Sequence, residues 1–433
     1  MSLSVVLLIS LSTVGPSLAS YPEPLREAAV PAAPLEPTSL AGCPMFPPDN
    51  VWNTRVDSLP VDTRSSAYIN SIGLNTGLHP DFGSGPWDGG PIGIPYTAVP
   101  GTQPPVPVTF DYNDESDPGP YPIPPNMPIE YGSDHHVLVV DRDHCKLYEM
   151  WDSRLNPDGS WDAGSGAKFD LRSHALRPDT WTSADAAGLP ILPGLARCDE
   201  VQAGAINHAL RFTADDTQRK YIWPARHYAS SITDANVPPM GQRFRLKASF
   251  DISGYSAQTQ IILTALKTYG LILADNGSNW YVSGSPGACW NDDDLVTELR
   301  TVHGSDFEAV DESGLMVNPD SGEAFVVVKD LRVVNAVIET GTLTAPLHWR
   351  ALPYVVTTTV RYSDAFITEA NWASATVITD SLPGSTTILT AVVPYSGTAY
   401  FAVKSQYANG VWSALSNNAF WPHWDVYLPV VLR

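Results

Sequence analysis

The chain is poor in cations, in cysteine and in long apolar runs. Lysine and arginine number 25 against 46 aspartates and glutamates, for a formal charge of −21 over 433 residues. Such a surface repels phosphate backbones and anionic lipid, and no Lys/Arg cluster reverses the sign locally, so neither nucleic acid nor a membrane surface is an expected partner. No apolar stretch approaches the ~20 residues of a spanning helix. The sequence has no G-x-S-x-G elbow, no C-x-x-C pair and no H-x-H or H-E-x-x-H spacing. Without them there is no support for a serine nucleophile of the usual hydrolase kind or for the common zinc arrangements. The glycines of Gly83-Ser84-Gly85 and Asp88-Gly89-Gly90 do not stand between a strand and a helix, which argues against phosphate cradling. No cofactor is named by any motif.

Proline is abundant, at 39 residues, while only 16% of residues are charged. Many loops and few surface helices follow. The length predicts two folded domains. A short apolar run from Val5 to Leu11, then Gly15, Pro16 and Ser17-Leu18-Ala19, has the order of a secretory leader over 1–19, with a Pro/Ala-rich linker over 20–41. A secreted, extracellular or surface-associated chain meets an oxidising environment, where its four cysteines pair; of three possible pairings, Cys43–Cys145 with Cys198–Cys289 is the one expected.

The expected fold class is mainly β with a few short helices: a β-sandwich-like main domain over 42–322, a second sandwich over 323–422 and an apolar tail over 423–433. The β-branched run His136-Val137-Leu138-Val139-Val140-Asp141 and the following Lys146-Leu147-Tyr148-Glu149-Met150-Trp151 predict a hairpin. Further strands are expected over 209–213, 221–224 and 243–250. A helix is expected from Ser256 to Gly270, then a buried strand ending at Asp275-Asn276-Gly277, and a second helix starting within Asp292-Asp293-Asp294. Asn156, Asp158, Ser160 and Asp162 read as a turn, with calcium ligation as the alternative.

Beyond residue 323, Leu347-His348-Trp349, Thr358-Val360-Arg361-Tyr362-Ser363, the segment Ile367 to Trp372, Gly397 to Val403 and Trp412 to Asn417 resemble successive pieces of a fibronectin type III module over 335–422. The resemblance implies a seven-stranded sandwich with Trp349 as its buried tryptophan and Tyr400 as its corner tyrosine. Upstream, Trp181 to Gly194, Arg243-Phe244-Arg245-Leu246-Lys247 and the segment Ala274 to Trp280 resemble a family of bacterial secreted proteins without an assigned activity, over about 42–315. That likeness implies one domain and carries over no catalytic residue.

The segment from Trp181 to Arg226 concentrates Asp, Glu and His among apolar and glycine residues, where ionisable groups must find partners or shift their pKa. Asp185 and Glu200 form the candidate acid/base pair for glycan hydrolysis, assisted by His208 or His227. For each carboxylate the structural alternative is a helix-start group bonded to backbone N–H. Asp275 closes an apolar strand, either as a functional group or as part of an ordinary turn. His136, His208 and His227 could converge to hold zinc or copper, or serve as core and second-shell groups. Trp181, Trp280 and Asn276 are candidate substrate contacts, and Trp52, Trp87 and Trp161 could join a stacking platform or pack in the core. The expected partner is a neutral polysaccharide or other extracellular glycan; a non-catalytic glycan-binding or surface protein and a histidine metalloenzyme are the alternatives.

Overall fold

Short β-branched and aromatic runs separated by proline- and glycine-rich turns favour strands, and strands outweigh helices in the fold. The computed structural model describes residues 39–421 other than 88, 327, 329, 353, 354, 408, 409 and 411. The expected leader, nearly all of the linker and the terminal segment 423–433 lie outside the described residues. By contacts the chain separates into Met1–Leu35 and Glu36–Arg433, and everything described belongs to the second unit.

The predicted hairpin forms, with Val137–Asp141 antiparallel to Lys146–Trp151. Ser165–Asp170 extends it on one side, and Tyr96–Val99 pairs in parallel on the other. All five residues of Val137–Asp141 are buried, as a strand covered on both faces requires. A second, six-stranded sheet runs in the order Phe307–Ala309, Arg243–Leu246, Leu271–Asn276, Leu210–Ala214, Tyr281–Ser283, His79–Asp81. It mixes orientations: Leu210–Ala214 is parallel to Leu271–Asn276 and antiparallel to Tyr281–Ser283. The strand expected over 221–224 is only an isolated bridge from Tyr221 to Met240. Pro224 lacks the N–H a ladder needs.

Helix Ala257–Thr268 buries Ile262, Leu263 and Leu266 completely against this sheet's core. Gly270 ends it at φ +73°, where a Cβ would sit 2.1 Å from the Phe244 carbonyl oxygen, so only glycine fits. Ser256 precedes the helix without making a capping bond; its hydroxyl donates instead to Glu298 at 2.7 Å. Helix Asp292–Leu299 starts at its three aspartates, as expected, and Asp292 accepts from the backbone N–H groups of Ser84 and Gly85. The segment from Asn156 to Ser160 is the turn joining Arg154–Leu155 to Trp161–Ala163.

Both disulfides are those expected, Cys43–Cys145 and Cys198–Cys289, closing loops of 102 and 91 residues.

The C-terminal part is a β-sandwich. One sheet holds Arg332–Val333, Thr342–His348, Val337–Glu339 and Ile388–Pro394; the other holds Thr376–Pro383, Val355–Ser363, Ala399–Tyr407 and Ala419–Trp421. Leu343, Ala345 and Leu347 alternate inward from one sheet to meet Val360, Phe401 and Val403 from the other. Trp349 is buried in this core and Tyr400 is half-buried beside Phe420.

Candidate functional site

A loop and a strand end make the site. Ala187 N–H donates to the carbonyl of Ala274 at 2.9 Å, which lays the loop from Trp181 to Pro190 along the end of strand Leu271–Asn276. The loop is held in shape from within: the Ser183 hydroxyl accepts from Asp185 N–H at 2.9 Å and donates to the Leu189 carbonyl at 2.6 Å. No helix forms at Asp185, contrary to the expectation of a helix start, and the residue sits in a tight turn with Gly188 at φ +68°. The result is that Asp185 and Asp275, 90 positions apart in sequence, meet.

Arg211, from the neighbouring strand Leu210–Ala214, holds them together. Its Nε and Nη2 reach the two carboxylate oxygens of Asp185 at 2.9 and 2.7 Å, its Nη1 donates to Ser283 Oγ at 2.5 Å, and Nη2 also lies 3.5 Å from Asp275. Asp185 is 1% exposed, whereas the Asp275 side chain keeps 22% of its surface. Asp275 is therefore the member of the pair that a ligand can touch. Burial pushes its carboxyl well above 3.8, and the charge of Asp185 and a hydrogen bond with it push further the same way, against the opposing pull of Arg211. Carboxyls within hydrogen-bond reach are closer than the ~5–9.5 Å separations of glycosidase acid/nucleophile or acid/base pairs, so the two aspartates form one hydrogen-bonded unit and not such a pair.

The unit opens onto a cleft of about 390 Å³. His227, Asn276, Glu115, Asp134, Tyr112 and Trp151 line it together with the two aspartates. His227 Nδ1 is 2.8 Å from the Ala186 carbonyl, and a carbonyl can only accept, so Nδ1 carries the hydrogen. In the neutral ring the lone pair is then on Nε2, which lies 3.8 Å from Glu115 Oε2. Tyr112, 53% exposed, and Trp151 set their rings 6.4 Å apart as an aromatic wall.

Beneath the cleft lie two further buried ionisable groups. His136 sits between Glu130, which bonds its Nδ1, and the Ala184 carbonyl, 3.1 Å from its Nε2. Burial works to strip its proton, but the Glu130 carboxylate outweighs that and raises the imidazole to about 9. Both ring nitrogens are therefore spent as donors, one of them on the loop that carries Asp185. Glu149, fully buried, accepts from the N–H groups of Ile191 and Leu192 at 2.9–3.0 Å and is raised by burial to about 7.

Several expected residues lie elsewhere. Glu200 is in the first turn of helix Cys198–Ala203 and forms a closed cluster with Arg197 at 3.0 Å and His208 at 2.9 Å, each at most 3% exposed. Neither Glu200 nor His208 lines the cleft, so the expected pairing of Asp185 with Glu200 is replaced by Asp185 with Asp275. The expected histidine metal set is corrected as well. His136, His208 and His227 are each bonded to their own carbonyl or carboxylate, and no group of three or more His, Cys, Asp or Glu among the described residues is arranged to hold a metal ion. Trp280, expected at a sugar, is completely buried between Phe212 and Phe307, at ring distances of 5.4 and 5.0 Å. Trp52 and Trp161 are likewise core residues, and the Trp87 side chain lies outside the described residues. Trp181 is half-buried against the Arg177 guanidinium and is not part of the cleft wall.

Sequence reasoning missed Arg211, Glu130, Glu149, Glu115, Tyr112 and Trp151. Arg211 and Glu149 did leave a signal, since each is a charged residue inside an apolar strand run and a buried charge needs a partner.

No protein-family model matches the chain, and no curated protein matches it. Among solved structures the chain is similar to an Fn3-like protein from Clostridium thermocellum, at 24% identity over 22% of this chain and 86% of that one, with a TM-score of 0.17. It is also similar to pectate lyase Pel3 from Pectobacterium carotovorum, at 18% identity over 22% of this chain and 27% of that one, again with a TM-score of 0.17. Likenesses of that size leave the reading of the cleft to its own geometry. No helix among the described residues is long and apolar enough to cross a membrane.

Proposed function

We propose that the chain is a secreted carbohydrate-active enzyme that hydrolyses a polysaccharide free of acidic sugars, with Asp275 as general acid and His227 as general base. The observation that carries this reading is the Asp275 carboxyl, held well above 3.8 at the wall of a cleft that His227 also lines, its Nε2 3.8 Å from Glu115. In one step, a water oxygen attacks the anomeric carbon as Nε2 accepts its proton. The glycosidic C–O bond breaks, and Asp275 delivers its proton to the departing oxygen. Arg211 and Asp185 act through Asp275: the charge of Asp185 helps keep the Asp275 proton on, while Arg211 fixes the position of Asp185 and opposes that shift.

The same acid and base could in principle eliminate across a uronate. That reaction needs a cation against the sugar carboxylate, and no Lys or Arg is among the cleft-lining residues, which favours hydrolysis. The C-terminal sandwich reads as a fibronectin type III module that spaces the enzyme or binds, supported by its two-sheet core with Trp349 inside. Secretion is supported by the two disulfides together with the leader-like start of the sequence.

A glycan-binding protein without turnover is the second reading, favoured by the Tyr112–Trp151 wall. One experiment separates the two: reducing-end release from a panel of polysaccharides free of acidic sugars, neutral and amine-bearing, by the wild type and by Asp275→Asn. Release that falls at least ~100-fold in the variant, with glycan retention preserved, supports the acid role. Retention without release in the wild type supports the binding reading, and release unaffected by the substitution sinks the mechanism.

A further inference from the structure

We infer that the sugar seated between Asp134 and the Tyr112–Trp151 wall carries a protonated amine, which makes the substrate class a polysaccharide of amino sugars with free amino groups. The inference rests on the reading of the cleft as a glycan site and adds the chemistry that site selects.

The polar lining is short of donors. Arg211 is committed to Asp185 and Ser283, and the hydroxyls of Ser165 and Ser183 are spent on the carbonyls of Ser183 and Leu189. Of the other lining groups the Tyr112 hydroxyl and the Asp275 carboxyl can donate, whereas the Asp134 carboxylate, the Glu115 carboxylate, which already accepts from Thr182 N–H at 3.1 Å, His227 Nε2 and the amide oxygen of Asn276 accept. Asn276 is informative because its orientation is set. Its Nδ2 donates to Thr217 Oγ1 at 2.9 Å and to the Asp215 carbonyl at 3.3 Å, which leaves Oδ1 buried without a hydrogen-bond partner. A group that brings several N–H donors and a positive charge complements such a lining. The faces of Tyr112 and Trp151 also attract cations. An N-acetylated sugar fits less well, since acetylation removes the charge and adds a carbonyl where the cleft already presents acceptors. A plain hydroxyl sugar supplies donors and leaves the carboxylates without a countercharge.

The test uses the full chain and three oligosaccharides of equal length: glucosamine oligomers, their N-acetylated counterparts and cello-oligomers. Both kcat/KM and calorimetric binding are read, with polylysine as a fourth probe. The expected result is a preference of about 10- to 100-fold for the glucosamine oligomer, the range of a charge-assisted contact. That preference falls as salt is added and collapses in Asp134→Asn, a substitution at an exposed side chain whose unchanged melting curve shows that the fold is kept. Equal or better use of the N-acetylated or cello-oligomer overturns the amine while leaving the glycan reading in place. Binding of polylysine with no response to any of the three sugars overturns both.

Discussion

Arg211 grips Asp185 at two points, Nε to Oδ2 at 2.9 Å and Nη2 to Oδ1 at 2.7 Å, in a setting where the two residues are 3% and 1% exposed. The fork consumes both oxygens of Asp185 and turns the residue into a support for Asp275. From the sequence alone, Asp185→Asn would be expected to remove activity and spare stability. The fork reverses the second half of that expectation. Asparagine leaves a buried guanidinium with a single carboxyl partner at 3.5 Å, and breaking a buried pair costs about 3–5 kcal/mol. A loss of about 3–5 kcal/mol in unfolding free energy, read as a lowered urea midpoint at unchanged slope, is predicted for Asp185→Asn.

The same substitution moves the pH profile. The charge of Asp185 is one of the causes that hold the Asp275 carboxyl above 3.8, and Arg211 pulls the other way. Removing the first and freeing the second lowers the Asp275 pKa. The alkaline limb of kcat/KM, where the acid loses its proton, should therefore shift to lower pH in whatever fraction of Asp185→Asn stays folded.

Stability should decline on the alkaline side. Glu149 is raised from 4.5 to about 7 by burial, and His136 from 6.5 to about 9 by Glu130 in spite of burial. A pKa raised on folding favours the protonated native state. The contribution of Glu149 is thus complete below 4.5 and lost as pH rises through about 7, and that of His136 is complete below 6.5 and lost as pH rises through about 9. Glu149→Gln keeps an acceptor for the Ile191 and Leu192 N–H groups and should flatten the first decline in a series of melting curves, leaving the second.

Arg243 is a purely structural counterpart. It is fully buried and donates to the carbonyls of Tyr269, Val51 and Thr54 at 2.8, 2.8 and 3.0 Å, with Glu312 3.6 Å away. Arg243→Met strips three carbonyls and one carboxyl of their partner, so a loss of about 3–5 kcal/mol or failure to fold is predicted, measured by denaturant unfolding.

Reduction of the disulfides should lower the melting temperature markedly. Loops of 102 and 91 residues are each worth about 4–5 kcal/mol in a chain-entropy account. A scan with and without reductant checks this.

How far the sequence reached follows from which interactions are local. The hairpin over 137–151, the helix Ala257–Thr268 and the strand ending at Asp275 are written in short-range patterns and were legible. That the four cysteines pair followed from count and compartment, whereas which of three pairings forms is fixed by the fold. The partner of Asp185 was not legible, because it depends on a parallel pairing of Leu210–Ala214 with Leu271–Asn276 that no local pattern specifies. Glu200 and Asp275 each follow an apolar or helical context, and only the three-dimensional register decides which one joins Asp185. Trp280 looked like a loop residue next to Asn279, yet its ring folds back to fill the space between Phe212 and Phe307.

The central claim is that the cleft presents a carboxyl kept protonated far beyond the ordinary aspartate range. Carbon-13 NMR of the carboxyl region, with Asp275 assigned by comparison with Asp275→Asn, measures this in the intact chain. The account predicts a titration midpoint for Asp275 well above 3.8, falling toward it in Asp185→Asn. A midpoint at the ordinary value in the wild type would contradict it.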